Sequence, residues 1–274
     1  MTMLSPVGSG FDLSSVDPSS TPGFSGGKKQ GKKAFDKGGA ELADLQERLF
    51  ADSRAGGTRR VLLLLQAMDT AGKGGIVRHV VGAVDPQGVS LHAFKAPTDE
   101  EKAHDFLWRV RAHLPAPGSI GVFDRSHYED VLIARVRQLV PPATIEERYG
   151  QIVDFEREVV AGGTALVKVM LHISPDEQKA RLAERLDRPD KNWKYNPGDV
   201  DERALWPQYM EAYQVALTRT STDSAPWHVV PADKKWYARW AVQQLLLAAL
   251  RDIDPQWPAA TYDVAAEKAR LAAT

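Results

Sequence analysis

The chain has 274 residues, 43% of them hydrophobic and 26% charged, with no cysteine and a formal net charge of −1. That length fits one large α/β domain, alone or with a lid, whose core needs no covalent staple. The composition excludes disulfides, a thiol nucleophile and a Cys-ligated metal, fits a reducing cytoplasm, and argues against a nucleic-acid partner.

Residues 1 to about 33 are rich in Ser, Gly and Pro and end in GGKKQGKK. They read as a flexible tail, residues 1–33, whose lysines either contact a polyanion or are simply solvated. The remainder, 34–274, reads as a single domain. A helix is expected from Gly39 to Arg54, with Leu42, Leu45 and Leu49 on one face. Strands and helices then alternate. Strands are expected at Val61–Leu65, Val89–Phe94, Ser119–Phe123, Leu166–Ile173 and Trp227–Val230. Helices are expected after the first strand, at Glu100–His113, around Arg181–Arg188 and at Lys234–Leu250. Such alternation predicts a parallel sheet of about five strands covered on both faces, with the site at the carboxyl ends of the strands. No apolar run approaches the roughly 20 residues of a membrane span, and the first residues lack a signal-peptide pattern, so no membrane partner is expected.

The first strand runs into QAMDTAGKGG. A strand, a glycine-rich turn and a new helix are the setting in which a P-loop has meaning. Its amides approach phosphate oxygens and its lysine brings a mobile positive charge. Ala71, Gly72, Lys73, Gly74 and Gly75 are therefore candidate phosphate binders. The pattern departs from G-x-x-x-x-G-K-[ST] in three ways. Ala67 stands at the first glycine, Gly74 replaces the metal-binding Ser or Thr, and Asp69 sits inside the loop, where phosphates should repel it. A carboxylate there is reasonable if it binds a cation, which makes Asp69 a replacement metal ligand. The plainer alternative is an N-cap aspartate in an ordinary strand–helix turn.

The third strand ends in GVFDRSHYED. An apolar strand ending in Asp is the second P-loop signature, so Asp124 is expected to face Asp69 across Mg²⁺, with Arg125 beside it for phosphate charge. Alternatively Asp124 caps the following helix. His127 and Tyr128 are read as packing or orienting residues, because a phosphate acceptor is already an anion and needs no strong base.

Between the fourth and fifth strands lies KARLAERLDRPDKNWKYNPGDVDER. Arg181, Arg185 and Arg188 recur at helical spacing, followed by Lys191 and Lys194. The segment is either a solvated face of i,i+3 and i,i+4 ion pairs or a lid, at about 181–205, that supplies arginines to a polyphosphate chain and excludes water. Trp193 and Trp206 are expected to anchor that lid.

Together the strings MDTAGKGG, VDPQGVSLHAFKAPTDEEKAHDFLWR, FDRSHYEDVL, RLDRPDKNWKYNPGD and STDSAPWHVVPADKKWYAR resemble the family-2 polyphosphate kinases from about Lys37 to Leu250. The resemblance implies a P-loop kinase-like α/β/α three-layer sandwich with a helical lid. It implies reversible, Mg²⁺-dependent transfer of the terminal phosphoryl group of inorganic polyphosphate to a nucleoside mono- or diphosphate. By motif position, Asp69 and Asp124 would bind Mg²⁺ and Lys73 would stabilise the moving phosphoryl group. Arg125 and Arg185 would hold phosphates across the transfer point, and Lys191 and Lys194 would support the chain. Arg181, Arg188 and Arg135 are expected among the phosphate contacts as well. In this family the missing P-loop Ser or Thr is normal and Ala67 is tolerated. KAPT and HDFLWR look more like the subgroup that uses both AMP and ADP. A cytoplasmic homo-oligomer, a dimer or tetramer, is the expected assembly. An ATP-dependent nucleoside monophosphate kinase and a non-catalytic polyphosphate- or nucleotide-binding regulator are the competing readings.

Overall fold

Strand β1 (Arg60–Ala67) is apolar at nearly every position. In the computed structural model, which describes residues 4–274, it lies at the centre of the sheet and is buried from Val61 to Ala67. A strand covered on both faces needs such a continuous apolar run, since neither side meets water. The other strands are β2 (Val89–Ala93), β3 (Ile120–Asp124), β4 (Thr164–His172) and β5 (Trp227–Pro231). All pair in parallel in the order β2-β3-β1-β4-β5. The edge strand β2 leaves Ser90 and Leu91 exposed.

The helices follow in order: α1 (Lys28–Arg54), α2 (Lys73–His79), α3 (Asp99–Lys102), α4 (Trp108–Arg111), α5 (Ile133–Val136) and α6 (Pro142–Ala161). Then come α7 (Pro175–Asp187), α8 (Gly198–Ala204), α9 (Trp206–Thr220), α10 (Lys235–Ile253) and α11 (Val264–Ala272). Helices α2 and α10 pack on one face of the sheet with α1 against α10, while α6, backed by α9, packs on the other. Leu62 of β1 meets Phe155 and Val159 of α6 in a cluster with Phe123 and Leu166. The result is the expected three-layer α/β/α sandwich with five parallel strands.

Several elements depart from the sequence expectations. The first helix starts at Lys28 rather than Gly39. One of the glycines that suggest a flexible tail is there for close approach: a Cβ on Gly31 would enter the ring of Trp236 on α10. Residues 4–27 lie along the body, while residues 1–3 of the expected tail fall outside the described residues. Val7 donates its N–H to the Trp227 carbonyl at 2.8 Å, Tyr237 Oη donates to the Pro22 carbonyl at 2.7 Å, and Phe24 packs edge-on against Trp236 and Trp240. Scattered apolar residues in a polar background give no periodicity, so only their slots on the body reveal the strap. Helices α6 and α9 carry no sequence prediction. The expected helix over Glu100–His113 breaks into α3 and α4, because Asp105 turns the chain by accepting the Leu107 N–H at 3.0 Å and, through its carbonyl, that of Trp108.

The loop after β3 is anchored from beneath. Lys168 of β4 is fully buried and donates to Glu156 at 2.6 Å, to the Thr220 carbonyl at 2.7 Å and to Tyr128 at 3.2 Å. Tyr128 donates to Glu156 at 2.8 Å, and His127 lies against the same carboxylate at 3.4 Å. His127 and Tyr128 therefore pack and orient, as the sequence suggests.

Candidate active site

The parallel sheet delivers three loops to one end. Register pairs Leu65 of β1 with Asp124 of β3 and Ala93 of β2 with the same Asp124, so the chain after each strand emerges at the same level. Beyond β1 the turn Met68–Gly72 leads into α2. Gly72 has φ 124°, in the region that favours glycine. Two non-glycine residues beside it are also left-handed, Thr70 at φ 62° and Arg125 at φ 64°. Each such residue costs on the order of 1–3 kcal/mol and persists only where its surroundings over-determine it. For Arg125 the constraint is its own N–H, donated to the Leu65 carbonyl at 3.0 Å.

These loops border a cavity of about 560 Å³. Asp69, Ala71, Gly72, Lys73, Gly74, Gly75, Asp124 and Arg125 line it, together with Arg181, Arg185, Lys191 and Lys194. Arg125 Nη2 donates to Asp69 Oδ1 at 3.0 Å, and Lys73 Nζ donates to the Ala67 carbonyl at 3.2 Å. Burial works against the Arg125 charge, but Glu129, Asp69 and Asp124 outweigh it and raise its pKa. Glu129 is itself pushed up by burial, against the pull of Arg125 and Lys73.

Two of the expected phosphate contacts lie elsewhere, and a third is occupied. Arg135 pairs with Glu146 at 3.4 Å and Glu211 at 3.2 Å, away from the cavity. Arg188 pairs with Glu184 at 3.3 Å and Asp190 at 2.7 Å, one turn past the lining. Arg181 borders the cavity but is 6% exposed, with its guanidinium bonded to backbone carbonyls and Glu177. Spacing alone suggests that Arg181, Arg185 and Arg188 share one face, but only neighbours that the spacing does not show decide which of them keep free donors. The lid segment after α7 is a 3-10 turn at Asn192–Lys194 followed by α8. Trp206 packs against the core, whereas Trp193 is 78% exposed and contacts its own segment, donating Nε1–H to the Asp190 carbonyl at 3.1 Å with Lys194 over its ring.

The structure adds cations that the sequence reading omits: Arg78 of α2, Lys95 after β2, and Lys235 and Arg239 of α10. Lys95 follows a strand at its carboxyl end, so the strand-end rule points to it. The α10 pair has no local signal. Burial lowers the Arg239 pKa, and repulsion from Arg181 and Arg78 adds to it. Among the lining residues the carboxylates are Asp69, Asp124 and Glu184, the last drawn down to about 2 by Lys191 and Lys235. Positive charge is therefore in excess and crowded, as a site for a polyanion requires.

No group of three or more His, Cys, Asp or Glu residues able to hold a metal occurs among the described residues. Asp69 and Asp124 nevertheless suit Mg²⁺, which takes one or two carboxylates and completes its shell with waters and substrate phosphate oxygens.

The family model described as Polyphosphate kinase 2 (PPK2) matches residues 26–258. A Meiothermus ruber protein named AMP/ADP-polyphosphate phosphotransferase is 46% identical over 90% of this chain and 91% of its own. An ADP-polyphosphate phosphotransferase of Rhodopseudomonas palustris is 43% identical over 80% of this chain and 79% of its own. The crystal structure of Polyphosphate Kinase 2 from Arthrobacter aurescens TC1 superposes with a TM-score of 0.96 at 61% identity, covering 98% of this chain and 95% of that one.

Proposed function

The chain belongs to the polyphosphate kinase 2 family, and from that premise we propose that its cavity transfers the terminal phosphoryl group of inorganic polyphosphate to a nucleotide, AMP as well as ADP. The observation that carries this is the excess of lysine and arginine around a P-loop that ends beside two strand-end carboxylates. A donor with one negative charge per phosphate needs such a lining along its length, whereas an ATP donor would need a pocket for its base.

In the transfer an oxygen of the acceptor's terminal phosphate attacks the end phosphorus of the chain. The bridging P–O bond breaks, and the shortened polyphosphate leaves with the electron pair. The attacking oxygen is already anionic, so no residue removes a proton. Lys73, Arg125 and Arg185 donate to the equatorial and leaving oxygens, where charge accumulates. Asp69 also holds Arg125 in place through their ion pair. Lys191 and Lys194 attract the outer phosphates, and the lid segment 181–205 excludes water around them. Mg²⁺, held by Asp69 and Asp124, neutralises phosphate charge when bound. No helix of the described residues is long and apolar enough to cross a membrane. A cytoplasmic homo-oligomer, dimer or tetramer, with no nucleic-acid or membrane partner is the setting we assign.

A matrix of polyphosphate or ATP as donor against AMP, ADP, GMP and GDP, with Mg²⁺, tests the reading. ATP formed from ADP, and ADP from AMP, with polyphosphate alone supports it. Transfer from ATP only would make the protein an ordinary nucleotide kinase. Binding of polyphosphate without turnover would make it a regulator.

A further inference from the structure

We propose that Arg181 is the positioning residue of this site: it sets the shape of the P-loop and locks it to the root of the lid, and does not itself bind phosphate. A guanidinium has five N–H donors in a fixed fork. In Arg181 all five are used. Nε donates to Glu177 at 2.8 Å. Nη1 donates to the carbonyls of Thr70 at 3.1 Å and Ala71 at 2.8 Å, and Nη2 to those of Ala232 at 2.7 Å and Asp233 at 2.9 Å. One planar group thus joins the loop after β1 to the loop after β5 from the second turn of α7.

The bonds at Thr70 and Ala71 have a directional consequence. In a trans peptide the N–H points opposite to the C=O of the same plane. Turning the Ala71 carbonyl onto Arg181 therefore turns the Gly72 N–H away from it. That N–H has no acceptor among the described residues, and Gly72 lines the cavity. The left-handed Thr70, whose backbone resists this shape, is held in it by the same guanidinium. Gln178, one turn before Arg181, donates to the Asp69 carbonyl at 3.2 Å and accepts from Arg203 of α8 at 2.9 Å. Asp233 accepts the Ser174 N–H at the start of α7 at 2.8 Å and donates its own N–H to the Pro18 carbonyl of the strap at 3.1 Å. P-loop, lid root and strap are thus joined through one hydrogen-bonded network, to which Arg203 of α8 is also tied.

This inference rests on the phosphotransferase reading for its kinetic arm, and a second arm is independent of it. Arg181→Ala is expected to lower kcat on the order of 10²-fold with both KM values within about threefold, because the loop donors are misaligned and no substrate contact is lost. Free guanidinium ion at a sub-denaturing concentration is expected to restore about tenfold of that loss, normalised to the folded fraction. Arg181→Lys is expected to stay low, since three donors on one nitrogen cannot serve five acceptors. By hydrogen exchange, Arg181→Lys is expected to speed exchange of the Ala71 and Gly75 amides, which donate to the Met68 and Gly72 carbonyls, while global protection is kept. Activity within threefold of wild type, or a loss that follows the folded fraction with no rescue, would overturn the proposal. So would a raised polyphosphate KM at unchanged kcat, which would make Arg181 a direct phosphate contact. Unchanged exchange at Ala71 and Gly75 would overturn it too, even if wild type proved not to turn over polyphosphate.

Discussion

Two groups of buried or half-buried cations occupy this molecule, and they are built on opposite plans. Beneath the site, Lys168 and Arg181 have carbonyl, carboxylate or hydroxyl partners for every bond they make, and each is under one-tenth exposed. Around the cavity, Lys73, Arg125, Arg239 and the lid lysines outnumber the carboxylates that face them. The first plan satisfies desolvation within the fold, as a buried charge demands. The second leaves it unsatisfied, so that an anion from outside completes it. Arg181 and Arg185, one turn apart on α7, fall on either side of that divide: Arg185 shares one nitrogen between the Lys194 carbonyl at 2.9 Å and Asp199 at 3.1 Å, and borders the cavity.

The comparison breaks most easily at its strongest members. Lys73→Ala is expected to cost 10²-fold or more, on the order of one lost transition-state charge contact, with little change in melting temperature. Single-turnover kinetics beside thermal unfolding checks it, and activity within about threefold of wild type would remove Lys73 from the mechanism. Lys168→Met is the mirror image. It strands Glu156 in the core and is expected to cost about 3–5 kcal/mol of stability while the fraction still folded keeps its turnover. Denaturant melts with specific activity per folded molecule measure both; an unchanged midpoint would show that the pair is not needed.

Smaller effects sharpen the boundary. Asp124→Asn is expected to remove the Mg²⁺ dependence along with most turnover, on the order of 10²-fold, with the fold intact. A metal titration that overlays wild type would move the metal elsewhere. Arg185→Ala is expected to lose about 10–10²-fold, less than Lys73→Ala, because Lys191 and Lys194 share the outer phosphates. A loss that grows with polyphosphate length would support that sharing; a loss confined to thermal stability would class Arg185 with Arg181. Arg135→Ala and Arg188→Ala are expected within about twofold of wild type in kcat/KM, since neither guanidinium lines the cavity, although Glu184, one partner of Arg188, does. A tenfold loss in either would mean that the lid closes further than its ion pairs suggest.

Much of the site was legible because its signals are local in the chain. A strand, glycine loop and lysine within fifteen residues announce themselves, and Asp124 and Arg125 follow directly from a strand end. Lys235 and Arg239 were not legible, because they reach the cavity only through the packing of α10 on α2 and the sheet. The strap was hidden for the same reason: Val7, Leu13 and Phe24 are apolar residues without period, and their partners are more than two hundred residues away in the chain.

By itself the sequence determined the parallel α/β class and the family, and it located the glycine loop and the strand-end Asp124, since each rests on residue types at fixed short spacings. Only the tertiary structure decided which arginines face the cavity with donors not taken up by the fold. Arg181 and Arg185 lie on α7 and Arg188 directly follows its last residue, and the spacing treats the three alike. What separates them is distance to carbonyls and carboxylates contributed by the loops after β1 and β5 and by α8, because hydrogen bonds are set by position in space and not by order along the chain.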